Sequence, residues 1–245
     1  MKIIDCFLYF NEIDLVVERM NLLNRVVDQF VILEFGETFS GRKKAPHFNI
    51  ELVPESVRYK VLYKFIDNAN NPVVSDLNLT NFNRSLSWKH CGIHPRDLVP
   101  SLHREINQRD MLVHLIDLVA DDNDLVIVSD ADEIPNVEAL LQVASNIKHD
   151  QVYYFEMDWR IFYTDLRCTF AWYGSYGVKK SMFKQFSIDE VRVSDRYQNN
   201  PQGLIVSNGG VHFSYLGGIN AVRKKLKSLP YQGRRAQLTS HFVQH

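Results

Sequence analysis

The chain predicts an α/β fold with a Rossmann-like, mostly parallel central sheet and flanking helices. The apolar, β-branched runs at 3–10 and 26–35 read as buried strands, with helical spacing of Ile13, Val16, Val17, Met20 and Leu23 between them. Such a strand–helix–strand unit favours parallel pairing. A further dry run, Leu125-Val126-Ile127-Val128, ends in Ser129-Asp130-Ala131-Asp132-Glu133-Ile134-Pro135. In open α/β sheets, ligands bind beyond the carboxyl ends of the strands.

Taken in order, 3–10 is the first strand, 12–23 a helix and 26–35 the second strand, which runs into Glu34. Thr38-Phe39-Ser40-Gly41-Arg42-Lys43-Lys44 is a polar turn, and 57–66 reads as a third strand. Residues 68–100 are rich in Asn, Ser and Pro with little periodicity, so they suit either a lid or acceptor loop or a surface insertion. A helix is expected over 101–119, capped by Ser101, and Asp121-Asp122-Asn123-Asp124 turns into the acidic strand. Pro135 bars that strand from continuing in a sheet centre, and Asn136 or Asp132 can cap a helix at 137–147. A strand at 152–157, an aromatic segment at 159–186, the run Gly209-Gly210-Val211-His212-Phe213-Ser214 and a basic helix at 218–229 complete the chain.

At 245 residues with 45% hydrophobic content, the chain can bury a substantial core as one domain. A formal net charge of -1 argues against a protein that grips nucleic acid electrostatically. No apolar run reaches membrane-span length, and the start Met1-Lys2-Ile3-Ile4-Asp5-Cys6 reads as a strand, not a signal peptide. Cys6, Cys91 and Cys168 are too few and too scattered for a disulfide framework or a thiolate metal site, so a cytoplasmic location is the default. The sequons at Asn78 and Asn83 matter only in a secreted chain.

Three carboxylates in four positions after a buried strand are costly without a cation, and oxygen ligands suit Mg²⁺ or Mn²⁺. Taken alone, Asp-x-Asp can also be an ordinary helix cap. Glu105 and Arg109 share a helix face, beside Arg104 and Gln108; Arg109 suits either a surface ion pair or a phosphate. His212 suits either packing or metal ligation, and Arg223, Lys224, Lys225 and Lys227 suit either a solvated face or a leaving diphosphate. Trp159, Phe162, Tyr163, Phe170, Trp172, Tyr173 and Tyr176 suit either packing or stacking on a sugar.

Five blocks carry a resemblance. They are Asp5-Cys6-Phe7-Leu8-Tyr9-Phe10-Asn11-Glu12 with Asp14-Leu15; Val27 to Glu34 with Thr38-Phe39-Ser40-Gly41; Arg104-Glu105 with Gln108-Arg109; Ser129 to Pro135; and Gly210-Val211-His212-Phe213-Ser214-Tyr215-Leu216-Gly217-Gly218. In this order they resemble glycosyltransferase family seventeen, the family of the β-1,4-mannosyl-glycoprotein 4-β-N-acetylglucosaminyltransferase. Val211 departs from the Trp often found before the His.

The resemblance implies a single GT-A domain, with a nucleotide-binding half over about 1–135 and an acceptor half over about 136–245. It implies an inverting transfer from a nucleotide sugar, most naturally UDP-GlcNAc, with Mn²⁺ or Mg²⁺, to a glycan or another hydroxyl. Asp130 and Asp132 then match the metal motif and His212 completes it, with Asp130 also near the ribose. Asn11, Glu12 and Glu34 fall where such folds hold the nucleoside, and Arg109 and Lys224 are expected at the diphosphate. Asp158 is the first choice of base for the acceptor hydroxyl, with Glu190, Glu156 and Asp189 also open; Glu133 is expected to be structural. The rival readings are a metal-dependent nucleotidyltransferase, disfavoured by the acidic first loop, and a non-catalytic nucleotide- or glycan-binding module.

Overall fold

The computed structural model describes residues 1–67, 100–193 and 203–229. The loop expected over 68–100 and both sequons therefore lie, apart from Pro100, outside the described residues.

The chain order is β1 (Ile3–Tyr9), α1 (Ile13–Leu23), β2 (Gln29–Phe35), α2 (Glu55–Arg58), β3 (Val61–Ile66), α3 (Pro100–Asp110), α4 (Leu112–Val119), β4 (Leu125–Asp130) and β5 (Glu133–Pro135). It continues with α5 (Val137–Asn146), β6 (Val152–Ile161), β7 (Tyr176–Lys179), α6 (Ile188–Val193), β8 (Gly203–Ser214) and α7 (Gly218–Ser228). The strands form one sheet in the order β3-β2-β1-β4-β7-β6-β8-β5. The half from β3 to β4 is wholly parallel. Beyond it, β7 runs antiparallel to β4 and β6, β8 is parallel to β6, and β5 is antiparallel to β8. The α/β class and the Rossmann-like sheet with helices on both faces are thus as expected.

Side-chain alternation explains the dryness of the acidic strand. Leu125 and Ile127 enter the core shared with α1 and α5, while Val126 and Val128 enter the core under α4 and α6. A strand covered on both faces reads as a continuous apolar run. Fully burying each such side chain is worth roughly 1.5–3 kcal/mol.

Several boundaries differ from expectation. Residues 57–58 belong to α2, because Pro54 opens a helical turn and its carbonyl accepts from Val57 at 2.9 Å. The helix expected over 101–119 is two, α3 and α4, parted at Met111 by a tighter turn in which His114 N–H bonds the Met111 carbonyl at 3.2 Å. Asn136, not Asp132, caps α5, its side chain accepting from Glu138 N–H at 3.0 Å. The strand expected to stop at 157 runs to Ile161, and β7 lies inside the aromatic segment. Pro135 ends the short edge strand β5, where no further ladder partner among the described residues needs its missing N–H.

Strand order reverses at β1, which has β2 and β4 as neighbours, with Leu8 in register with Asp130. That reversal opens a crevice at the carboxyl ends of β1 and β4.

Candidate functional site

A pocket of about 410 Å³ fills this crevice. Leu8, Tyr9 and Phe10 line it from β1 and its end, and Asp130, Ala131 and Asp132 from the end of β4 and the turn after it. Glu12, His212 and Lys225 add charge or polarity; Phe39, Trp159, Trp172 and Tyr215 add rings.

The three carboxylates of the motif have different sets of partners, with Arg192 shared between Asp130 and Glu133. Asp130 accepts from Arg109 at 2.8 Å through Oδ1 and from Arg192 at 2.6 Å through Oδ2. Burial alone would raise its carboxyl; the two guanidiniums outweigh that and hold it below the usual range. Glu133 is fully buried and points back into the protein. It accepts from Asp130 N–H at 3.0 Å, Ser175 Oγ at 2.7 Å, Trp172 Nε1 at 2.6 Å and both terminal nitrogens of Arg192. Gly174 is required beside it, since a Cβ there would lie 2.2 Å from Glu133 Oε1.

Asp132 faces the pocket. Lys225 Nζ lies 2.5 Å from its Oδ2, and His212 Nε2 lies 3.7 Å from the same oxygen. Burial would raise this carboxyl too, but the Lys225 ammonium and His212 hold it well below the ordinary range. The His212 ring stacks on Trp159, with centroids 6.0 Å apart and planes 9° apart, and packs 4.5 Å from Trp172. Its Nε2 is 3.0 Å from Ser214 Oγ, which also accepts from Trp159 Nε1 at 3.0 Å. Its Nδ1 is buried without a hydrogen-bond partner.

Arg19 carries the motif from beneath. Fully buried on α1, it bonds Asp5 through Nε at 2.7 Å and Nη2 at 2.5 Å, Ser129 Oγ at 2.5 Å, and the carbonyls of Asp130 and Glu133 at 3.0 and 2.6 Å. The sequence reading missed Arg19 and Arg192. Arg19 had left a signal, a charged residue on the apolar stripe of Val16, Met20 and Leu23. Arg192 sits on a six-residue helix with no comparable pattern.

The other expected site residues are distributed as follows. Glu12 lines the pocket and accepts from Asn11 N–H at 2.9 Å, while Asn11 itself lines an adjoining cleft with Phe10 and Lys224. Glu34 is wholly buried behind the pocket. It accepts from Lys44, from His47 and Phe48 N–H at 2.8 and 3.1 Å, and from Tyr63 OH at 2.8 Å, so it orders the loop after β2. Arg109 stands behind Asp130, with Glu105 at 2.8 Å and Asp189 at 3.4 Å on its other nitrogens. Arg104 and Gln108 hold the same loop, by bonds of 2.8 and 3.0 Å to the carbonyls of Phe39 and Glu37. Gly41 lies against Arg104 at φ +85, a conformation suited to glycine.

Asp158 does not open onto this pocket. On β6 it is next to Trp159 and points to the opposite side, where it lines a second cleft and pairs with Arg160 and with Arg167, the latter at 2.5 Å. Glu156 lines that cleft too. Glu190 lines a third cleft beside Asp110 and Ser187, and Asp189 is buried against Arg109. Lys224 packs over Phe10 at 5.8 Å, while Lys225 is the lysine that reaches Asp132. Successive helical residues diverge by about 100°, and Val222 is buried, so position 225 shares the inward face that 224 leaves.

No helix among the described residues is long and apolar enough to cross a membrane. No curated protein matches the chain. The crystal structure of S. aureus TarS 1-349 superposes with a TM-score of 0.47 at 14% identity, covering 87% of this chain and 60% of that one. The chain thus spans about 60% of the length of that structure. Residues 1–99 match the model of glycosyltransferase family 17, a match that stops short of the acidic motif and His212. Over β1 to β3, on one side of the crevice, the chain is similar to glycosyltransferase family 17.

Proposed function

We propose that the chain is an inverting glycosyltransferase of GT-A type. It moves a sugar, GlcNAc from UDP-GlcNAc, to a hydroxyl of a glycan or other acceptor. The observation that carries this reading is the pocket at the sheet's reversal point, with Asp132, His212 and Lys225 on one side and aromatic rings around them. The similarity of residues 1–99 to glycosyltransferase family 17 supports it.

A divalent ion fits the donor set. Asp132 Oδ2 and His212 Nε2 lie 3.7 Å apart, and a carboxylate with an imidazole suits Mn²⁺. No group of three or more His, Cys, Asp or Glu among the described residues forms a ready-made metal cage. Remaining positions would fall to water and donor phosphates, as is usual for nucleotide-bound Mg²⁺. Such an ion would offset charge on the departing diphosphate.

The chain's own residues have defined parts in this reading. Arg109 and Arg192 fix Asp130, and Arg19 fixes the backbone turn, so Asp132 is presented rigidly. Phe10, Phe39 and Tyr9 offer faces to a base at the β1 end, and Trp159, Trp172 and Tyr215 offer faces to a sugar. Lys225 supplies a cation at the phosphates. Asp158 and Glu190 line other clefts, so neither is the base at this pocket.

A thermal-shift screen of nucleotide sugars with and without Mn²⁺ tests the reading. A ligand that binds only the folded state raises its melting temperature by mass action. UDP-GlcNAc with Mn²⁺ is expected to give the largest shift; absence of a shift with every nucleotide would refute the assignment.

A further inference from the structure

Lys225 and the ion assigned to Asp132 compete for the same oxygen. The Lys225 ammonium already lies 2.5 Å from Asp132 Oδ2, the oxygen that also faces His212 Nε2. Its second anion, Glu12 Oε1, is 3.6 Å away, on the pocket wall. The helix that carries it is tied to the far side of the pocket. Ser40 N–H bonds the Ser228 carbonyl at 3.0 Å, and Ser40 Oγ bonds the Lys227 carbonyl at 2.7 Å. The helix is therefore held, so any move of the ammonium away from Asp132 falls to the flexible four-carbon lysine stem.

We infer that Lys225 is the resident cation of the donor site, occupying the metal-facing oxygen of Asp132 until metal and diphosphate arrive together. This inference rests on the reading of Asp132 as a metal ligand. A divalent ion arriving alone must displace an ammonium and leave it close by, and like charges in a half-buried site repel. When a diphosphate arrives with the ion, it supplies the displaced ammonium with a new anionic partner. Each ligand then favours the other, and by linkage the coupling is the same in either direction. Free metal and free nucleotide each bind weakly, and the pair binds well.

The test measures Mn²⁺ affinity by the electron paramagnetic resonance signal of the free ion, with and without UDP, in the wild type, Lys225→Met, Lys225→Arg and Asp132→Asn. In the wild type, UDP should tighten Mn²⁺ binding by about tenfold or more, within the usual range of coupling between sites. Lys225→Met should bind Mn²⁺ alone about tenfold more tightly and lose most of the UDP enhancement, whereas Lys225→Arg should retain it. Circular dichroism checks each fold. If Lys225→Met binds Mn²⁺ alone no more tightly than the wild type, through an Asp132-dependent site, the inference fails and the metal reading stands. If Asp132→Asn leaves Mn²⁺ binding in the presence of UDP unchanged, the metal reading itself fails. Should Lys225→Met not fold, the wild-type comparison still decides: Mn²⁺ affinity that UDP does not raise overturns the inference.

Discussion

Trp172 donates its indole N–H to Glu133 Oε1 at 2.6 Å, joining the ring that packs on His212 to the innermost carboxylate of the acidic motif. Glu133 also balances Arg192, so the pocket wall and the motif share one buried network. Removing one partner of a buried pair leaves an uncompensated charge. Glu133→Ala should therefore cost about 3–5 kcal/mol in urea denaturation. Trp172→Phe, which keeps a ring and loses the donor, should cost roughly 1–3 kcal/mol. A Glu133→Ala variant as stable as the wild type would remove the structural role given to this residue.

Arg19 makes a similar prediction from the opposite face. Arg19→Met strands Asp5 and frees the carbonyls of Asp130 and Glu133, a loss of about 3–5 kcal/mol. The double variant Arg19→Met with Asp5→Leu removes the stranded charge and should recover more than about 1 kcal/mol of that loss, because apolar replacement of a buried pair is often tolerated. Equal stabilities of the single and double variants would show that the pair does not govern the cost.

The parallel half of the fold was legible because its central strands are covered on both faces and read as dry runs with a helix between them. The antiparallel half was much less so. β7 has four residues, and β6 extends past the point where its burial stops. That extension turns Asp158 away from the pocket that Trp159 enters. The acidic motif was visible as residues, but not its division of labour. Asp130 faces two arginines, one of them from a helix about sixty residues later, and no local spacing announces such a pairing. Lys224 was expected at the phosphates, and its neighbour Lys225 reaches Asp132; a one-residue step on a helix decides which lysine turns inward.

Asp189 sets a pH dependence. Burial pushes its carboxyl up to about 7, despite the opposing Arg109. An unfolded Asp titrates near 3.9, so between about 4 and 7 the folded state binds more protons than the unfolded state. The stabilisation is complete below about 4 and is lost as pH rises through about 7. Asp189→Asn should remove this slope, so its melting temperature relative to wild type should be higher at pH 8 than at pH 5. Asp132 and Glu133 act in the opposite sense: their carboxyls are depressed in the fold, so the stability they add is lost as pH falls below about 4. Parallel melting curves for Asp189→Asn and wild type from pH 5 to pH 8 would contradict the assignment.

His212 depends on its two indole neighbours, Trp159 and Trp172. Trp159→Ala removes the stacked ring and the donor to Ser214 Oγ, leaving the imidazole free to turn. Donor affinity, measured by calorimetry with UDP and Mn²⁺, should fall about tenfold, the effect of losing roughly 1.4 kcal/mol. Trp159→Phe, which keeps a ring, should lose less. Unchanged affinity in Trp159→Ala would place the donor elsewhere.

The most direct test of the central claim is release of UDP from UDP-GlcNAc, with Mn²⁺ and a panel of glycan acceptors, by the wild type and by Asp132→Asn. Acceptor-stimulated release is expected from the wild type, with a loss of at least about a hundredfold in the variant, the scale on which removing one electrostatic stabiliser slows an enzyme. Circular dichroism of the variant should be unchanged. Turnover by a folded Asp132→Asn variant at the wild-type rate would contradict the account.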